Sequence, residues 1–172
     1  SQLYNALGSA NGGDRIVLAS GNYGELQLQG NQNSNYLFNS EVTIESADSN
    51  RPAVLEELYL RNVSNITLDN IVFDLDTTSS TSSGVQPFRI DASTNVSIQN
   101  STFDGDVFKG GGIADGYGTG FGLKVLRSEN ISITENFFSN FRTASGFADV
   151  ENLLLVGNTY DDISGDSMKF SE

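Results

Sequence analysis

The sequence predicts an all-β chain wound as a parallel β-helix, a solenoid of short strands stacked coil on coil. Three observations predict it. The first is an internal repeat. Asn65-Ile-Thr-Leu-Asp-Asn-Ile-Val-Phe73, Asn95-Val-Ser-Ile-Gln-Asn-Ser-Thr-Phe103, Asn130-Ile-Ser-Ile-Thr-Glu-Asn-Phe-Phe138 and Asn152-Leu-Leu-Leu-Val-Gly-Asn-Thr-Tyr160 align without forcing. Each reads Asn, apolar, any, apolar, a second Asn, then an aromatic. The second observation is a shorter motif ahead of each repeat: Leu58-Tyr-Leu60, Phe88-Arg-Ile90, Leu123-Lys-Val125, Ser145-Gly-Phe147, and then Met168-Lys-Phe170. Its period of two is that of a strand with one apolar face. The third is that no helical periodicity separates these strands, which excludes a βαβ fold, and their short spacing fits no sandwich.

Taken in order, Leu3, Ala6, Leu7 and Ala10 fall on one helical face. Residues 1–13 therefore read as a cap over the first coil, as solenoid ends require. Asn11-Gly-Gly13 stops the helix, and Ile16-Val-Leu18 opens the coils, which run over residues 14–172 as one domain. Val42-Thr-Ile44 is a weaker early copy of the repeat. The leading Asn residues, at 65, 95, 130 and 152, lie 30, 35 and 22 apart. The shortest interval is the bare repeat, so the other two carry insertions, at about 75–86 and 104–122. Stacking about 4.8 Å apart would place Ile66, Val96, Ile131 and Leu153 in one inward column, and Phe73, Phe103, Phe138 and Tyr160 in another. Met168-Lys-Phe170 opens a further coil, and the C-terminal end is expected to be uncapped. An uncapped coil exposes strand edges and core. It would be completed by another chain or copy, unless the boundary is arbitrary.

Composition narrows the chemistry. The 172 residues carry 9 Lys+Arg and 22 Asp+Glu, a formal charge of −13. Nucleic acid and anionic membranes are not expected partners of such a chain. With no Cys and no His, disulfides, thiolate and imidazole metal sites, and Ser-His nucleophiles are excluded. No apolar run approaches the roughly 20 residues of a membrane span.

The middle residues of the second motif are Tyr59, Arg89, Lys124, Gly146 and Lys169. In register they form one outward column, gathering cations on one face of an acidic protein. A sugar unit is about as long as the coil spacing, so the column suits successive carboxylates of a uronic-acid polymer. Tyr59 and Lys169 are then substrate-binding, and Arg89 and Lys124 are the catalytic candidates. Arg89 would neutralise a substrate carboxylate and acidify the adjacent C–H, and Lys124, its own pKa lowered by the neighbouring cation, would take the proton. The competing reading is a solvated surface.

The second insertion contains Asp104, Asp106 and Asp115 among glycines. With freed carbonyls they can supply several of the six or more oxygens calcium needs, although the spacing matches no standard calcium loop. Tyr117 in the same insertion is a substrate-binding candidate, because loops on one face of a solenoid wall a ligand groove. The competing reading is an insertion without a ligand. Asp161, Asp162 and Asp166, with Asp149 and Glu151, form an acidic edge that is either solvated or a carboxylate pair of glycosidase type. Gly116 to Gly122 resembles a dinucleotide loop but precedes no helix. The leading Asn residues read as a structural amide ladder, because Asn tolerates left-handed backbone.

Ser1-Gln-Leu-Tyr-Asn-Ala-Leu7, Gly12-Gly-Asp-Arg-Ile-Val-Leu18 and Gly21-Asn-Tyr23 resemble the opening of the right-handed β-helix proteins of the pectate lyase superfamily. Within it, the chain is most similar to the alginate lyase and chondroitinase B family. The resemblance implies a right-handed coil and a secreted or cell-surface protein of bacterial origin. It also implies a polysaccharide lyase using a Lys base, an Arg from a neighbouring coil, and calcium against the carboxylate. In that family the pair lies further along a longer chain, so Lys124 and Arg89 are named by column position. Asp115 and Tyr117 are loosely similar to the Tyr-Gly-Phe-Asp region of mannuronan epimerases, whose His is absent here. The expected function is action on an acidic polysaccharide by β-elimination. The alternatives are a non-catalytic carbohydrate-binding, adhesin or tailspike-like module, or a structural half completed by a partner chain.

Overall fold

Short apolar-alternating segments and asparagine-rich turns produce strands and, among the described residues, a single helix. The computed structural model describes residues 2–31, 36–75, 86–109, 111–113 and 115–171. The insertion expected at 75–86 therefore lies almost wholly outside the described residues.

Helix α1 (Gln2–Ser9) buries Leu3 and Leu7. It leads into β1 (Arg15–Leu18), β2 (Gly21–Asn22), β3 (Glu25–Gln29), β4 (Leu37–Ser46), β5 (Ala53–Leu55) and β6 (Glu57–Arg61). Then follow β7 (Ser64–Asp69), β8 (Ile71–Asp74), β9 (Phe88–Asp91), β10 (Thr94–Gln99), β11 (Thr102–Asp104), β12 (Asp106–Val107) and β13 (Gly118–Thr119). The chain closes with β14 (Phe121–Thr134), β15 (Phe137–Ser139), β16 (Thr143–Val156), β17 (Thr159–Asp161) and β18 (Met168–Ser171).

Every pairing between these strands is parallel except the small β12–β13 ribbon. One sheet of six strands runs β17-β15-β11-β8-β5-β2. The other, of ten strands, is curled. Its bend lies within β14 and β16, where Arg127 and Asn130, and Asp149 and Asn152, have positive φ. The first half of β14 pairs with β9 and its second half with β10, so one strand belongs to two walls. The expected registers are present. Val96 lies opposite both Ile66 and Ile131, and Ile131 opposite Leu153. Phe103 lies opposite Phe73 and Phe138, and Phe138 opposite Tyr160.

These columns form the core. The rings of Phe73, Phe103 and Phe138 stack with centroids 4.4 and 4.5 Å apart, and Tyr160 continues the stack at 5.2 Å. Fully burying one such ring is worth roughly 1.5–3 kcal/mol. Turns are set by residues that accept left-handed backbone: Asn65, Asn95, Asn130 and Asn152 have φ of 58, 54, 55 and 53°. Their amides bond between repeats, Asn95 Nδ2 donating to Asn65 Oδ1 at 2.9 Å and Asn152 Nδ2 to Asn130 Oδ1 at 3.0 Å. Buried Ser and Asn side chains satisfy turn amides that no strand reaches. Ser93 Oγ accepts from the Val63 N–H, and Asn136 Oδ1 accepts from the Ser101 N–H, as buried donors require.

Candidate functional site

The outward face of β3, β6, β9, β14, β16 and β18 carries the cations. Alternation along each strand turns Leu58 and Leu60 inward and Tyr59 and Arg61 outward, and the neighbouring strands repeat the pattern. Register then places Gln27, Tyr59, Arg89, Lys124, Gly146 and Lys169 in one column. A second outward column holds Gln29, Arg61, Asp91, Leu126, Ala148 and Ser171. With Arg127 at the following turn, Arg61, Arg89, Lys124, Arg127 and Lys169 are five of the nine basic residues of the chain. From β9 onward, Asp91 is the only acid among these outward strand positions. A strand spacing of about 4.8 Å puts Lys124 beside Arg89 and separates it from Lys169 by about twice that distance.

Three cations of this face, Arg89, Lys124 and Arg127, have side-chain partners. The Arg89 guanidinium lies 5.6 Å from the centre of the Tyr59 ring, and Lys124 Nζ lies 5.6 Å from that of Phe121. Both are cation–π distances. Arg89 Nη2 donates to Asp91 Oδ2 at 3.0 Å. Arg127 Nη2 donates to both Asp91 oxygens, at 2.6 and 2.7 Å. The carboxylate between them is 2% exposed. Gly146, between Lys124 and Lys169, is itself buried, although a Cβ there would meet nothing nearer than the Lys169 carbonyl at 3.9 Å.

The ribbon of β12 and β13 immediately precedes β14 in the chain. Its glycines serve close backbone packing, since a Cβ on Gly118 would fall 2.6 Å from the Asn140 carbonyl carbon. Tyr117 stands exposed on this ribbon, and Tyr117, Gly118, Asp162, Ile163 and Ser164 line one open depression. The Ser164 hydroxyl donates to the Gly118 carbonyl at 2.7 Å and ties the ribbon to that turn.

Of the three carboxylates considered for calcium, Asp104 and Asp106 have side-chain partners in the structure. Asp104 Oδ1 accepts from Ser139 Oγ and Asn140 Nδ2. Asp106 is buried and pairs with Lys109 Nζ at 2.9 Å, and Asp115 is exposed. Among the described residues no three acidic side chains converge on a common point fit to hold a metal ion.

Sequence reasoning missed Arg61, Asp91 and Arg127. Arg61 and Asp91 were legible as the next outward positions of their strands. Arg127 gave no signal, because it lies in a turn where the other repeats have Asn62, Ala92 and Asp149. Neither a protein-family model nor a curated protein sequence matches the chain.

Proposed function

We propose that this chain is a right-handed parallel β-helix that binds an acidic polysaccharide along its cation-bearing face. The observation that carries the reading is the shared register of Tyr59, Arg89, Lys124 and Lys169, with Arg61 and Arg127 beside them, in a chain of formal charge −13. Such a concentration of cations against the overall charge is what a polyanion selects. The rise per strand is about that of one sugar unit, so successive carboxylates meet successive strands. Tyr117, exposed on the ribbon, offers an aromatic face on which a pyranose could stack. Such polymers occur outside cells, which agrees with a secreted or cell-surface location.

A second reading adds catalysis, and the adjacency of Lys124 and Arg89 in paired strands favours it. Arg89 would neutralise one uronate carboxylate. Lys124, in its neutral form, would take the proton from the carbon next to that carboxylate. The electron pair forms the new C=C bond as the bond to the neighbouring glycosidic oxygen breaks; that oxygen leaves with the bonding pair and takes a proton from water or from Lys124, giving an unsaturated sugar and a free hydroxyl.

A third, narrower reading concerns the exposed apolar residues of β16 and β18. Leu154, Val156, Met168 and Phe170 are exposed, Phe170 by 61%. This edge has the character of a surface on which another strand stacks.

Incubation with alginate, pectate and chondroitin tests the first two readings together. Ultraviolet absorbance of the unsaturated product reports cleavage, and retardation in polymer-containing native gels reports binding, each with calcium or a chelator present. Binding with product supports a lyase, and binding alone supports a carbohydrate-binding module. No retention by any of the three polymers refutes both.

A further inference from the structure

The buried Asp91 is the least expected residue on a face suited to polyanions, since it places a negative charge among the cations. Its neighbours give the reason. Its two oxygens receive Arg127 Nη2 at 2.6 and 2.7 Å and Arg89 Nη2 at 3.0 Å. Each guanidinium keeps further N–H groups beyond these contacts. The Tyr59 ring underlies the Arg89 plane, and the Arg127 side chain remains 58% exposed.

Arg127 has backbone φ of 47°, a left-handed conformation that disfavours an ordinary L-residue. The corresponding turn of another repeat holds Asn62, a residue suited to that conformation. The same turn is left-handed at Ala92 and Asp149 as well, so the conformation belongs to the repeat, and what distinguishes Arg127 is the charge it brings to Asp91. Glu129, Asp149 and Glu151 line, together with Arg127 itself, a depression at this turn. Their charges disfavour a polyanion in that depression, so contact with Arg127 is expected from the strand side.

We propose that Asp91 is a positioning residue that sets Arg89 and Arg127 as a two-guanidinium clamp for one carboxylate of a polyuronate. The inference rests on the polysaccharide-binding reading and deepens it by adding Arg127 and Asp91 to the site. Guanidinium forks match carboxylate geometry, and a clamp held by a buried acid loses little freedom on binding.

The test is the affinity for a galacturonate tetramer, with dextran sulfate and plain dextran as comparison ligands. Asp91→Asn makes the face more positive by one charge, so diffuse electrostatics alone would tighten binding. Positioning predicts the opposite: about tenfold weaker binding of the tetramer, partly restored in Asp91→Glu. Arg127→Asn places at this turn the residue already used at position 62 and keeps the test open if Asp91→Asn fails to fold. It is expected to weaken the tetramer about as much. Unchanged or tighter binding by a folded variant overturns the clamp. So does loss of dextran sulfate binding alone, which would assign the pair to sulfate esters. Wild-type protein that binds neither charged ligand defeats the polysaccharide reading itself, a result distinct from failure of the clamp.

Discussion

Arg127 reaches back from a left-handed turn to bring its Nη2 to 2.6 and 2.7 Å from the two carboxylate oxygens of Asp91. The contact joins a turn to a strand 36 residues earlier in the sequence. It links the geometry of the turns to the charge of the face, and it separates two kinds of cost. Arg127→Asn relieves a strained backbone worth of order 1 kcal/mol and gives up an ion pair to a largely exposed side chain, worth about 0–1 kcal/mol. The two nearly cancel, and urea unfolding should find the variant within about 1 kcal/mol of the parent. Asp91→Ala relieves nothing and removes a buried acceptor, so it should cost about 1–3 kcal/mol in the same experiment.

The aromatic stack makes a larger prediction. Phe103 is fully buried between Phe73 and Phe138, and Phe88 meets it edge-on at 5.6 Å. Phe103→Ala leaves a cavity between rings held by strands on both sides, so the site cannot collapse. Destabilisation of about 3–5 kcal/mol is expected by chemical denaturation. Phe103→Leu should recover more than half of it.

The amide ladder predicts a residue-specific pattern. Asn95 has φ of 54° and bonds Asn65 through its side chain. Asn95→Ala loses both advantages and should cost about 1–2 kcal/mol. Asn95→Gly loses only the hydrogen bond and should cost less, about 0.5–1 kcal/mol. Equal losses for the two would show that backbone conformation is not what selects Asn there. Thermal melts of the pair decide it.

Tyr160 predicts an alkaline response. Burial pushes its hydroxyl above the usual value of about 10, with a hydrogen bond to Ser145 opposing the shift. A pKa higher in the folded than in the unfolded chain means that the unfolded chain releases its proton first. The contribution is complete below the unfolded pKa and is lost as pH rises from about 10 through the folded value. Tyr160→Phe keeps the ring and removes this loss, so its melting temperature should fall less steeply with pH above about 10.

Much of the fold was legible because a stacked repeat writes its contacts into the sequence. Residues at one repeat position become neighbours, so aligning Asn65, Asn95, Asn130 and Asn152 yielded the registers of Ile66, Val96, Ile131 and Leu153. The column of Tyr59, Arg89, Lys124 and Lys169 followed from the same alignment. What stayed hidden departs from the repeat. Arg127 and Ala92 occupy left-handed turns without the Asn that marks such positions elsewhere. Asp91 gave no sign of its burial, because the two arginines that pair with it come partly from the next repeat. The antiparallel ribbon of β12 and β13 belongs to an insertion with no copy to align against.

The central claim is that this one face, and not the overall charge, recognises the polymer. The most direct measurement compares two double variants with the same change in charge. Lys124→Gln with Lys169→Gln removes two cations from the face. Arg15→Gln with Arg51→Gln removes two from elsewhere, where they pair with Glu45 and Asp48. Polyuronate dissociation constants at one fixed salt concentration should rise at least about tenfold for the first pair and less than about twofold for the second. Equal effects from the two pairs would contradict the account.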